Sequence, residues 1–212
     1  MKNLDVWGTF EKEFNQPVPY EQIEKYVAKN ARILEVGCGY GRVLNRLMNL
    51  GYVDLTGIDA SVGMIARGKK QFPKLQDKIS LHQTEALPFE NENFDAVILV
   101  GVLTCVVDKT KQEKLLAEIK RVLKPKGILC VGDFIIADDE HNQNRYKAYM
   151  AKGRDDFGVF ECTMDTRFRH HSVEYLTKLL KDFDIVWQEE QEIISALNGA
   201  VDKVISIIVR FR

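Results

Sequence analysis

"ILEVGCGYGR", residues Ile33 to Arg42, closes an apolar run and then sets three glycines, Gly37, Gly39 and Gly41, at alternate positions. A glycine held in one conformation gives up more backbone freedom than any other residue. Three together cost stability unless the chain bends tightly there or something approaches closely. The flanks say which. "ARILEV" ahead of the loop is a short apolar strand, and "GRVLNRLMNLG" after it puts Val43, Leu44, Leu47 and Met48 on one helical face, with Gly51 as a stop. A strand, a glycine loop and a helix in that order place the helix N-terminus over the strand's carboxyl end, where open α/β sheets take ligands.

The same alternation continues outward. "VDLTGID" is a second strand, and "SVGMIARGKKQF" a second helix with Ser61 as N-cap and Pro73 beyond its end. "KISLHQT" is a third strand, and "FDAVILV" a fourth, apolar on both faces as a central parallel strand should be. In "TKQEKLLAEIKRVLK", Thr110 and Glu113 have capping-box spacing and Leu115, Leu116, Ile119, Val122 and Leu123 form the buried stripe. "PKG" then turns the chain into a fifth strand, "ILCVGDFII". The pattern predicts an α/β fold: a doubly wound, mostly parallel sheet of seven strands with helices on both faces. "SVEYLTKLLKDF" is helical with Ser172 as cap, and "DIVWQEEQEII" and "KVISIIVRF" are strands joined by a short connector containing Asn198 and Gly199. A parallel crossover needs a dozen or more residues, so this pair is an antiparallel hairpin at the sheet's edge. One domain is expected: a helical cover over 1–30 with Tyr20, Ile23, Tyr26 and Val27 on one face, a cofactor-binding core over 31–136, a substrate cover over 137–171, and a C-terminal helix and hairpin over 172–212. The 137–171 segment is polar, rich in Tyr, Arg and His, and fits neither period.

Composition narrows the partners. With 212 residues, 45% of them hydrophobic, the chain can bury one sizeable core. Its 30 basic and 31 acidic side chains leave a net charge of −1 with no basic stripe, so no nucleic-acid partner is expected. Cys38, Cys105, Cys130 and Cys162 are too scattered for a zinc or redox motif, so no metal is expected and the thiols read as small buried hydrophobes in a reducing compartment. "MKNLDVWGTFEKEF" lacks the apolar stretch of a signal peptide, and the longest apolar run is too short to span a bilayer, so a cytoplasmic protein without a membrane partner is expected.

The chemistry of the ligand follows from the loop's neighbours. Asp59, in "GIDAS", lies about twenty residues past the loop, where an acid accepts hydrogen bonds from both hydroxyls of a ribose. The dinucleotide fingerprint wants a glycine at its sixth position, where this chain has Arg42. Glu35, just ahead of the loop, is a poor neighbour for a diphosphate and a good one for an ammonium or sulfonium.

At these residues the sequence resembles the class I S-adenosylmethionine-dependent methyltransferases, from about Ala31 to the C-terminus. "ILEVGCGYGR" is similar to the family's first motif, "TGIDAS" to its second-strand acidic motif, "TEALPFENENFDAVILV" to its third- and fourth-strand segment and "LKPKGILCV" to the lead into its fifth strand. The resemblance implies the Rossmann-like methyltransferase fold, whose last strand is antiparallel, and S-adenosylmethionine as cofactor with S-adenosylhomocysteine as product. It implies that Gly37, Cys38 and Gly39, with Glu35 nearby, face the methionine end and that Asp59 holds the ribose. Ala60 and Met64 would pack near the adenine, the backbone around Thr84 and Glu85 would meet its edge, and Val100 and Gly101 would flank the methionine portion. Gln83 stands where many relatives carry an aspartate on the adenine amino group; its carbonyl can accept the same hydrogen bond.

The acceptor side is less defined. The sulfonium already activates the methyl, so no catalytic residue is obligatory; if a base is used, His170 and His171 at the edge of the cover are the candidates, against a packing role beside Ser172. Arg167 and Arg169 alternate around Phe168, either presenting two guanidinium groups to an anionic acceptor or lining a solvated strand face. Trp7, Tyr20, Tyr146 and Tyr149 line an acceptor pocket or simply pack. After the fourth strand stands "VGVLTC", not the Asn-Pro-Pro-aromatic segment of the family's amino-methylating nucleic-acid enzymes. The expectation is methyl transfer to a small-molecule acceptor by in-line displacement. The alternatives are a non-catalytic S-adenosylmethionine-binding module and, less favoured, an NAD-type oxidoreductase.

Overall fold

The apolar run ahead of the glycines becomes the middle of a sheet. The computed structural model describes residues 7–162, 166–196 and 198–212. The strands are β1 (Arg32–Val36), β2 (Asp54–Asp59), β3 (Ile79–Leu81), β4 (Phe94–Val100), β5 (Leu123–Ile135), β6 (Val159–Cys162), β7 (Thr166–Arg169), β8 (Phe183–Ile194) and β9 (Val201–Phe211). Seven of them pair in the order β3-β2-β1-β4-β5-β9-β8, while β6 and β7 form a separate two-stranded ribbon. β1 to β5 pair in parallel, and β9 runs antiparallel to both β5 and β8. This is the expected doubly wound sheet with its one antiparallel strand, β9 lying inside the hairpin and β8 at the edge.

The helices are α1 (Tyr20–Tyr26), α2 (Arg42–Asn49), α3 (Val62–Gln71), α4 (Lys109–Val122), α5 (Glu140–Met150) and α6 (Val173–Leu179). They cover the two faces through two apolar clusters. Leu34, Val97, Leu99 and Leu129 point to the α4 and α6 side, and Ile33, Ile98, Cys130 and Ile208 to the α1 to α3 side. Alternate residues of β4 feed both clusters, so that strand needs apolar residues throughout. Of the helix expected in the first cover, Ile23 and Val27 are buried in the second cluster.

Three expectations are corrected. Asp108, not Thr110, caps α4: its Oδ1 accepts from the amides of Thr110 at 2.8 Å and Lys111 at 3.3 Å, which leaves Thr110 inside the helix. "PKG" does not precede β5 but interrupts it. Phe94 pairs with Leu123 and Ala96 with Ile128, so the intervening residues bulge, with Lys126 at φ +63°. The 137–171 segment, expected to lack periodicity, contains α5 and the β6-β7 ribbon. Residues 1–6 and 163–165 of the two expected covers lie outside the described residues.

Candidate cofactor site

The three loop glycines all have left-handed φ, +71°, +53° and +82° for Gly37, Gly39 and Gly41, but their surroundings differ. A Cβ on Gly37 would lie 2.4 Å from Val102 Cγ2, and one on Gly41 2.5 Å from Leu75 Cδ1; on Gly39 it would meet only Phe14, at 3.6 Å. The chain itself therefore crowds Gly37 and Gly41, whereas the face of Gly39 has room. The amides of Gly37 and Cys38 donate to the Ile58 carbonyl at 2.8 and 3.0 Å, and that of Gly39 to Asp59 Oδ2 at 2.7 Å. A diphosphate needs free amides in this place, and these three are engaged.

Two carboxyl groups border the loop. Asp59 ends β2 and ties two turns together, Oδ2 on Gly39 and Oδ1 on the Ser61 amide at 2.8 Å. Burial raises its pKa, and those backbone hydrogen bonds work against the rise. Glu35 is buried beneath the loop. Desolvation lifts its pKa well above the usual carboxyl range, against the pull of nearby Arg42, and its Oε2 has no hydrogen-bond partner among the described residues. Cys38 is also buried, and its thiol is pushed well above its ordinary value, so it is inert packing.

On the flank expected for the adenine, Met64 is buried and Ala60 half-buried at the start of α3. Gln83 Nε2 donates to the Ala60 carbonyl at 3.0 Å, which leaves the side-chain carbonyl as an acceptor. The Thr84 hydroxyl donates to the Ala86 carbonyl, and Glu85 pairs with Lys114 at 3.3 Å, so both side chains turn to their own surroundings. Val100 is half-buried at the end of β4, and Gly101, at φ +69°, donates to the Gly132 carbonyl.

Of the cover expected over 1–30, only α1 is an α-helix; the contacts of the described residues before it are not expected from the sequence. Residues 7–19 form a strap over the carboxyl ends of the strands. Gly8 abuts Gly63, where a Cβ would come within 2.3 Å of Gly8 Cα. Phe14 stacks on Phe10 at 5.1 Å and on Tyr40 at 5.7 Å. Arg67 on α3 lies 4.0 Å from the centre of the Tyr40 ring and donates to the carbonyls of Phe10 and Lys12, both at 3.0 Å. Arg42 donates to the Gln16 carbonyl at 2.9 Å, and the Gln16 side chain lies against Gly101. Trp7 and Gly101 stand out in the sequence for other contacts, and Gly63, which makes room for Gly8, does not.

The acceptor-side candidates are distributed differently from the expectation. Trp7 packs on Phe168 at 5.7 Å, joining the strap to the β6-β7 ribbon. Tyr146 is fully buried and its hydroxyl lies 2.7 Å from His170 Nδ1; Tyr149 is buried as well. His170 is stacked on Phe134 at 5.2 Å, and burial holds its pKa well below the ordinary value. His171 is stacked on Tyr175, pushed by burial to about 3, and neither ring nitrogen has a partner among the described residues. Both histidines are thus core residues, held uncharged, rather than bases at an open face. His171 lies 3.8 Å from Asp133, whose carboxyl burial lifts to about 7. Arg167 and Arg169 do not form a pair of free guanidinium groups: Arg167 is exposed, while Arg169 is buried, donating to the Val107 carbonyl at 2.7 Å and clasping Asp156 with both Nη atoms. Tyr20 is half-buried, its hydroxyl raised to about 12 by desolvation. Among the described residues no three His, Cys, Asp or Glu side chains are grouped to hold a metal, and no helix is long and apolar enough to cross a membrane.

Fold and site together define a doubly wound α/β protein that brings two carboxyl groups, Glu35 and Asp59, and engaged loop amides together at the carboxyl ends of β1 and β2. Residues 34–131 match the family model described as a methyltransferase domain. The chain is similar to the crystal structure of a SAM-dependent methyltransferase from Methanosarcina mazei, with a TM-score of 0.82 and 24% identity over 93% of this chain and 99% of that one. It is 29% identical over 127 residues to a sterol 4-C-methyltransferase of Caenorhabditis elegans, covering 57% of this chain and 37% of the relative. It is also 36% identical over 104 residues to human methyltransferase-like protein 27, covering 48% and 40%. The chain spans less than half the length of these curated relatives. Residues 34–131, just under half of the chain, are thus similar to a methyltransferase domain, and the chain as a whole shares its fold with the Methanosarcina protein.

Proposed function

We propose that this chain binds S-adenosylmethionine in the crevice above β1, β2 and β4 and transfers its methyl group to a small molecule. One observation carries the reading. The loop amides are spent within the chain while carboxyl groups border the loop, a set suited to ribose hydroxyls and a cationic tail rather than to a diphosphate. Asp59 would hold the ribose, the open face of Gly39 and the Glu35 carboxyl would take the methionine end, and Met64 and Gln83 would border the adenine. When bound, the cofactor supplies a methyl group already activated by its sulfonium charge. The protein's share is orientation and exclusion of water, which the strap and the ribbon provide from above. His170 and His171 are buried and uncharged, so this reading gives neither a proton-transfer step.

The acceptor's character is read from the side chains where strap and cover meet. Trp7, Cys105, Phe160 and Phe168 share one apolar cluster, and the charge of Arg169 is spent on Asp156. An acceptor that meets this surface does so through an apolar or aromatic face rather than as a free anion. The nematode relative, a sterol methyltransferase by name, is in keeping with that character.

Two measurements test the reading. Calorimetry with S-adenosylhomocysteine should show saturable binding; none at millimolar ligand rejects it. Labelled S-adenosylmethionine with a small-molecule cell extract should yield a labelled product. Binding without transfer to any extract would leave a binding module in place of an enzyme.

A further inference from the structure

The strap brings to the crevice a group that the methyltransferase motifs do not include. The Gln16 side chain lies against Gly101, close enough that a Cβ there would sit 2.4 Å from Gln16 Oε1. Its Nε2 is buried and has no hydrogen-bond partner among the described residues. Glu35 Oε2, on the neighbouring strand, is likewise buried without a partner. Arg42 connects the two: it donates to the Gln16 carbonyl and acts on the Glu35 carboxyl through its charge. Buried polar groups in native proteins are nearly always paired, so an unpaired donor at the end of β4 and an unpaired acceptor on the neighbouring β1 call for an explanation. A single ligand group satisfies both: an α-amino acid, whose carboxylate accepts from the glutamine amide and whose ammonium donates to the glutamate.

We propose that Gln16 is a further cofactor-binding residue, its side-chain amide donating to the carboxylate at the amino-acid end of S-adenosylmethionine or S-adenosylhomocysteine. The inference rests on the cofactor reading above. It makes the strap part of the binding site as well as its cover. A ligand with the same nucleoside but no amino-acid end gains nothing from Gln16.

Calorimetry on the full chain separates these contributions, with S-adenosylhomocysteine and 5′-methylthioadenosine as the two probes. Gln16→Met keeps the length and removes the donor. It should weaken S-adenosylhomocysteine binding about tenfold and leave 5′-methylthioadenosine within about twofold of wild type, which also shows that the site is still folded. Gln16→Glu sets a carboxylate against the ligand's own and should weaken S-adenosylhomocysteine further than Gln16→Met. Unchanged S-adenosylhomocysteine affinity in either variant overturns the proposal, as does an equal loss for both ligands, which would mean that the strap only closes over the nucleoside. If wild-type protein binds neither ligand, the cofactor reading falls and takes this proposal with it. Wild-type binding of S-adenosylhomocysteine with an indifferent Gln16 removes the proposal alone.

Discussion

Gly41 and Gly51 flank the same helix at φ +82° and +92°, yet only one of them is crowded. A Cβ at Gly41 meets the fully buried Leu75 at 2.5 Å, whereas at Gly51 nothing lies within 4 Å. Gly51→Ala should cost about 1 kcal/mol, for the left-handed backbone alone, and Gly41→Ala about 3 kcal/mol, because overpacking adds to it. Urea unfolding measures both, and equal losses would mean that Leu75 yields freely. Asp59→Asn removes the charge and leaves an acceptor for only one of the Gly39 and Ser61 amides, so S-adenosylhomocysteine affinity should fall at least about tenfold and stability by about 1 kcal/mol; an unaltered affinity would put the ribose elsewhere. Asp133 is readable through pH. Raised to about 7, it keeps a proton in the folded state that the unfolded chain releases above about pH 4, so its contribution to stability declines as pH rises from about 4 to 7. His171, lowered to about 3, acts oppositely: the unfolded chain holds a proton that the folded state refuses, and stability grows between about pH 3 and 6.5. Asp133→Asn mimics the protonated acid and removes only the declining part. Its stability relative to wild type should therefore rise by roughly 3 kcal/mol between about pH 4 and 6.5, and a pH-independent difference would show that Asp133 is ionised throughout.

At the level of elements, the strap has no ladder of its own and is held by side chains from α2 and α3. Arg67→Ala removes two hydrogen bonds to strap carbonyls and the stack on Tyr40. Limited proteolysis should then cut within 7–19 markedly faster while global unfolding changes little; cleavage at the wild-type rate would mean that the aromatic contacts suffice. This strap also marks where sequence reading stopped. The segment from β1 to β5 was legible because its strands and helices keep unbroken periods of two and 3.6, with apolar residues at the buried positions. The cap of α4 was misplaced by two residues because Asp108 and Thr110 are both cap formers and only geometry chooses between them. α5 was illegible because its buried face carries Asn142, Tyr146 and Tyr149, polar side chains that erase the hydrophobic stripe. The contact of Gln16 with Gly101 joins distant points of the chain without any repeat to announce it. The loop and its acids were readable as residues in place; of the covers only the position was readable, not the elements or contacts that build them.

Across the whole molecule, the cover is anchored to the sheet by a buried charge pair. Arg145 on α5 donates to Asp202 at the start of β9 at 2.8 Å and lies over the Phe160 ring at 3.7 Å, while Asn142 donates to the Val201 carbonyl. Asp202→Ala strands a guanidinium in the interior and should cost about 3 kcal/mol, whereas the double variant Arg145→Met with Asp202→Ala should recover part of that loss. Urea unfolding of both decides, and an equal cost for the two would show that the unpaired charge is not the cause. The position of β9 has a consequence for how the protein is made. β5 finds its second partner only in β9, which pairs with it from Ile128 to Ile135 and comes after the whole cover in the chain. During synthesis the apolar edge of β5 is complete well before the strand that seals it leaves the ribosome. Until then that edge is open to any extended chain it meets, so the nascent protein passes through its most aggregation-prone stage late, with the cofactor loop already made.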